Sequence, residues 1–206
     1  MELTVDQLAC RRGDRRLFEQ LSFAMGAGTV LQIEGRNGCG KTTLLRTLCG
    51  LTRPTEGSIA WAGRDIRTDF AAYAAELNYV GHHPGVKEEL SPLENLAFAA
   101  RLAGAAADGT APEQALERIG LPLECEDIPC RKLSAGQRRR VALARLLLLP
   151  GRLWILDEPF TALDVAGRDL VESLLLEHTQ RGGMAIVTSH HAVNLEGSVV
   201  QSLQLG

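Results

Sequence analysis

The sequence predicts an α/β fold built on a mostly parallel sheet, and three observations carry that prediction. Two apolar runs, residues 153–156 and 184–188, flank a stretch of helical pattern from Val165 to Gln180. Strand, helix, strand with strands apolar throughout is how a parallel sheet covered on both faces reads in sequence. A further strand candidate, residues 29–34, runs straight into a glycine-rich turn and then a helical pattern from Thr42 to Cys49.

Each element follows from local pattern. Leu3, Val5 and Leu8 roughly alternate with polar residues, residues 10–16 read as a charged turn, and residues 18–25 form the next strand before Gly26 and Gly28. After the strand at 29–34, Leu44, Leu45, Leu48 and Leu51 share one helical face, and Gly50 marks a C-terminal stop. Residues 54–57 form a turn into a strand at 58–61. From Ser91 to about Gln137 the chain is rich in Ala and Leu, with a weak loop at 104–112 and breaks at Gly120, Pro122 and Pro129. That stretch lacks strand pattern and predicts an inserted helical region. No internal repeat recurs at a fixed period.

Composition bounds the function. The chain has 206 residues, 45 % hydrophobic and 23 % charged, which excludes disorder and coiled coil. Twenty-two basic against 25 acidic residues give a net charge of −3, so nothing in the global field favours nucleic-acid binding. Neither residues 93–107, interrupted by Arg101 and Gly104, nor residues 141–149, interrupted by Arg145, offers the ~20 apolar residues of a spanning helix. The N-terminal residues lack the basic start and apolar stretch of a signal peptide. These features predict a soluble, cytoplasmic chain. Its five scattered cysteines read as free thiols in a reducing compartment, and the Cys125/Cys130 pair lacks the second pair a zinc site needs.

Two motifs carry chemistry. Gly35, Arg36, Asn37, Gly38, Cys39, Gly40, Lys41 and Thr42 fit G-x-x-x-x-G-K-[ST] in full, between a predicted strand and a predicted helix. Glycines let consecutive N–H groups curl around an anion, and the following helix adds its positive end. Lys41 would reach the β- and γ-phosphates of ATP, Thr42 would bind Mg²⁺, and Thr43 sits beside it. A plain glycine-rich turn with a surface lysine would not need that flanking strand and helix. The second motif is Asp157-Glu158 at the end of the buried strand, where ligands bind in open α/β sheets. There Asp157 would hold Mg²⁺, and Glu158 would deprotonate the attacking water.

Kinases, GTPases, helicases and transport ATPases share those two motifs; the segment that separates them is Leu133, Ser134, Ala135, Gly136 and Gln137. It resembles the L-S-G-G-Q signature of the ATP-binding cassette family, with Ala135 for one glycine. Ser134 and Gln137 also form the capping box of the helix that follows, but a capped helix by itself leaves Gly136 unexplained. The resemblance implies a P-loop NTPase fold with an N-terminal antiparallel β region. It implies one nucleotide-binding domain over 1–206, with a core at about 1–87 and 138–206 and a helical subdomain at about 88–137. It implies a homodimer on ATP binding, in which this signature touches the γ-phosphate bound by the second copy. Residues 161–164, ending in Asp164, resemble the loop along that dimer interface. His190, after the strand at 184–188, resembles the switch histidine near the γ-phosphate. Two positions depart from the family: His82 stands where a glutamine is usual, and Arg12 where an aromatic residue stacks on adenine. A guanidinium can also stack on a base.

Residues 81–85, 145–149 and 152–164 resemble the ATPase subunits of bacterial cytochrome c maturation systems, the heme exporters. This implies integral membrane permease subunits as partners, a peripheral place on the cytoplasmic face of the inner membrane, and ATP hydrolysis coupled to heme export or to release of a heme-loaded chaperone. No direct heme ligation is expected, because the nucleotide site accounts for the His82-His83 and His190-His191 pairs. The alternatives are a cassette subunit for a different exported substrate and a soluble cassette ATPase of the iron–sulfur assembly type.

Overall fold

The computed structural model describes residues 1–104, 111–189, 193, 195, 197 and 199–206. Among these the chain opens with β1 (Glu2–Arg12), β2 (Arg15–Gly26) and β3 (Thr29–Glu34), followed by α1 (Lys41–Leu48). Next come β4 (Glu56–Trp61), β5 (Arg64–Asp65), α2 (Phe70–Ala75) and β6 (Leu77–Val80). The helices α3 (Pro92–Leu102), α4 (Pro112–Arg118) and α5 (Ala135–Leu148) occupy the stretch read as helical and run past it. The chain ends on β7 (Leu153–Asp157), α6 (Val165–Gln180), β8 (Met184–Thr188) and β9 (Val199–Gln204).

The apolar runs form the middle of a five-stranded sheet in the order β6-β7-β8-β3-β9, with every pairing parallel. Successive side chains of a strand point to opposite faces, so each run feeds two cores. Leu31, Ile33, Leu153, Ile155, Met184 and Ile186 face α1 and the N-terminal strands, against Leu44, Leu45, Leu3 and Val5. Val30, Trp154, Leu156, Ala185 and Val187 face the other way, onto α4, α5 and α6 through residues such as Leu116, Leu143 and Leu174. A second, antiparallel sheet of order β2-β1-β4-β5 covers the first of these cores.

Several stretches differ from the sequence reading. Residues 10–16 are not one charged turn: β1 continues to Arg12, β2 resumes at Arg15, and Arg11 pairs with Arg16 and Arg12 with Arg15. Residues 11–16 are exposed, so this hairpin tip carries no alternation of apolar and polar residues to announce it. The helix α2 and the strand β9 were not expected either. Only Tyr73 of α2 is buried, and β9 is an edge strand with its residues exposed or half-buried. Among the described residues no helix is long and apolar enough to cross a membrane.

Candidate functional site

The loop between β3 and α1 closes on itself at two glycines. Gly35, at φ +148°, lies so near the carbonyl of Leu205 that a Cβ there would clash with it and would come 2.8 Å from the Cys39 sulfur. Gly40, at φ +114°, is the N-cap of α1 and has no side chain to cap it, so the first amides of the helix remain turned to the cleft. Lys41 is buried, and its Nζ donates to the carbonyls of Gly35 (2.6 Å) and Arg36 (3.3 Å). Cys39 is half-buried, and its amide donates to the Arg36 carbonyl at 3.2 Å.

A cleft of about 470 Å³ lies over this loop and gathers most of the residues singled out from the sequence. Arg12, Asn37, Gly38, Gly40, Lys41, Thr42, Thr43, His82 and Glu158 all line it. Gly35 and Arg36 line a neighbouring recess with Asn37 and Ser189. Arg12 arrives from the hairpin tip, and its neighbour Arg15 donates to the Gly38 carbonyl at 3.4 Å. His82 is well exposed; its Nδ1 stands 3.8 Å from Glu158 Oε2, while His83 packs edge-on against the His82 ring. His190 lies outside the described residues.

The two carboxylates are set by β8. Thr188, fully buried and paired in register with Asp157, donates its hydroxyl to Asp157 Oδ1 (2.8 Å) and accepts the backbone amide of Glu158 (2.9 Å). Glu158 takes a left-handed backbone at φ +50°, which turns its side chain away from the strand direction and towards the cleft. Its Oε2 accepts from the Thr161 hydroxyl at 3.4 Å. Asp157 is 1 % exposed, and its Oδ2 has no hydrogen-bond partner among the described residues. The buried charge is felt nearby: burial first, and Asp157 second, push the Tyr79 phenol up to about 12.

The signature residues sit apart from this cleft. Ser134 and Gln137 form the expected capping box, with Gln137 N donating to Ser134 Oγ (3.1 Å) and Ser134 N to Gln137 Oε1 (2.8 Å). Ala135 is exposed beside them. Gly136 does have a reason within the chain, contrary to the sequence argument: a Cβ there would stand 2.6 Å from the Ala162 carbonyl. Asp164 caps α6, accepting from the Gly167 amide (3.0 Å), and takes Arg140 Nη2 at 2.8 Å.

Sequence reasoning passed over Leu17, which lines the cleft, and two residues that hold its parts in place, Thr188 and Arg139, the latter donating to the carbonyls of Gly81 and Asp157. Thr188 looked like the last residue of an apolar strand. Arg139 belongs to a basic run, yet it shares the helical stripe of Ala142, Leu143 and Leu146, all buried. A charge on that stripe was the available signal.

The sequence profile described as "ABC transporter" matches residues 18–161. The cytochrome c biogenesis ATP-binding export protein CcmA of Methylococcus capsulatus is 54 % identical over 195 residues, covering 95 % of this chain and 94 % of that protein. Its namesake in Escherichia coli O157:H7 is 46 % identical over 205 residues, 98 % of this chain and 96 % of that one. A putative ABC transporter ATP-binding protein from Pyrococcus furiosus superposes with a TM-score of 0.82 at 26 % identity, covering 98 % of each chain. A profile match of that extent, and about half the sequence held in common along nearly the full length of both relatives, place the chain in the ABC transporter family.

Proposed function

We propose that the chain is the ATP-hydrolysing subunit of a membrane export complex serving c-type cytochrome biogenesis, coupling hydrolysis to heme export or to release of a heme-loaded chaperone. The name shared by its relatives supports the biological setting. The observation that carries the ATPase reading is Lys41: a buried ammonium whose contacts are two loop carbonyls, at the mouth of a helix without a side-chain cap. Such an arrangement is built to receive an anion.

On this reading the amides of residues 35–43 bind the β- and γ-phosphates, Lys41 offsets their charge, and Arg12 stacks on the adenine. The buried Oδ2 of Asp157, without a hydrogen-bond partner among the described residues, fits a divalent cation. Thr42 and Asp157 would hold Mg²⁺, which when bound neutralises charge on the phosphate oxygens. Glu158 accepts the proton of the attacking water, with His82 and His190 at the γ-phosphate. Ser134, Ala135, Gly136 and Gln137 complete the site of a second copy, and Asp164 lies along that interface. Integral membrane permease subunits of the heme-exporting complex are the partners, and they hold the chain on the cytoplasmic face of the inner membrane.

The test is affinity purification of the tagged chain from bacterial membranes, with ATP hydrolysis measured on the complex. Integral membrane subunits should co-purify, and Lys41→Ala should lower hydrolysis by about 100-fold or more without lowering the melting temperature. Recovery of a soluble scaffold in place of membrane subunits would overturn the export reading. An unchanged rate in Lys41→Ala would overturn the site.

A further inference from the structure

Arg139 is 3 % exposed and lies on α5, within the first turn and a half after the signature. Its guanidinium reaches three backbone carbonyls on two other segments. Nη1 donates to Gly81 at 2.8 Å, and Nη2 donates to Asp157 at 2.7 Å and also to the Glu158 carbonyl. Gly81 precedes His82, so one side chain grips the loop carrying His82 and the strand end carrying both carboxylates. It does so from the helix that begins with Ser134 and Gln137.

Two features separate this contact from ordinary packing. A buried guanidinium normally meets a carboxylate, which offers it a matched pair of oxygens. Here the hydrogen-bond acceptors are main-chain carbonyls, so the bonds constrain the path of the backbone. Burial pulls the guanidinium's pKa down, opposed by the nearby charges of Asp157 and Glu158, and five donors on a rigid plane remain to hold the geometry. The second feature is the backbone being held. Glu158 sits at φ +50°, a conformation costly for a residue with a side chain and kept only where its surroundings impose it. Arg139 binds the carbonyls before and after the Cα of that residue, those of Asp157 and Glu158, while Thr188 binds its amide.

We infer that Arg139 is a positioning residue for ATP hydrolysis: its guanidinium sets Glu158 and the His82 loop at the γ-phosphate and ties them to the helix bearing the signature. It rests on the reading of Glu158 as the base. Arg139 does not line the nucleotide cleft, and its hydrogen bonds among the described residues go to Gly81, Asp157 and Glu158 and not to the phosphate loop, so its removal should change nucleotide affinity little. The rate of the chemical step, by contrast, depends on where Glu158 points.

The experiment compares steady-state ATP hydrolysis by the complete chain with Arg139→Met and Arg139→Lys, alongside the dissociation constant for a fluorescent ATP analogue. Met fills the apolar volume and removes every donor, whereas Lys keeps the charge and can reach one segment but not both. In Arg139→Met kcat should fall at least tenfold, with KM and analogue affinity within about twofold of the parent, and Arg139→Lys should lie between the two. Equal losses of affinity and kcat, or a kcat within twofold of the parent in Arg139→Met, would overturn the inference. If Arg139→Met does not fold, Arg139→Lys decides alone: a kcat lowered several-fold at unchanged affinity supports the inference, and parental kinetics overturn it. An inactive parent that still binds the analogue would instead count against the ATPase reading itself.

Discussion

Gly136 shows what a single residue can conceal. In sequence it looked explicable only by a ligand, and in the fold it also allows the start of α5 to approach the Ala162 carbonyl. Gly136→Ala therefore forces the 161–164 loop or the helix start to shift, at a cost of about 2 kcal/mol. A chain of this size should then lose roughly 4–8 °C of melting temperature, read by calorimetry, and a melting point within a degree of the parent would contradict the packing. His82 makes the opposite case. Its role was suggested only by a departure from a family pattern, and the structure brings its ring to the cleft beside Glu158 while His83 stays behind it. His82→Gln should change the hydrolysis rate several-fold in either direction, and His83→Gln should leave it within twofold of the parent. Equal effects of the two substitutions would show that the ring lining the cleft is not the one that matters. Thr188 was illegible because its hydroxyl acquires meaning only through register: no sequence pattern says that it pairs with Asp157.

Elements with a full apolar stripe or run were legible to within a residue or two. The helix from Val165 to Gln180 and the strand from Met184 to Thr188 were read at their observed bounds, because each buries one face or both. The hairpin tip, α2 and β9 were missed where that signal fades on exposed surface. What couples α6 to β7 and β8 was likewise hidden, although its consequence is measurable. His178 of α6 stacks on Trp154 with ring centroids 3.8 Å apart, and its Nε2 donates to the Met184 carbonyl at 3.2 Å. Burial is the main cause that lowers its pKa, against the raising effect of that carbonyl. The native state therefore holds this histidine neutral, while the unfolded chain protonates near the ordinary value of about 6.5. Between those two values the unfolded state binds more protons, so this contribution to stability is complete above about pH 6.5 and is lost as pH falls below it. His178→Phe keeps the stack without the titration. Denaturant midpoints measured from pH 7.5 down to 5 should fall less steeply for the variant than for the parent, and parallel slopes would contradict the assignment.

For the molecule as a whole, the sheet order explains why one cleft collects residues from distant parts of the chain. The strands β3 and β7 each deliver their loop at the same edge of the parallel sheet, with β8 between them, so the phosphate loop and the carboxylates meet there. The signature at the start of α5 lies away from that cleft, and Asp164 is joined to the same helix through Arg140. The proposed arrangement is thus divided: each chain holds phosphate loop, Asp157 and Glu158 for one nucleotide, and offers Ser134 and Gly136 to another. Removing the base while keeping the shape should trap that pairing. The direct measurement is light scattering of Glu158→Gln with saturating Mg-ATP, followed by release and identification of the bound nucleotide. Twice the mass of one chain is expected, with two unhydrolysed ATP molecules per dimer. A single chain at saturating ATP, or ADP as the bound nucleotide, would contradict the proposed arrangement.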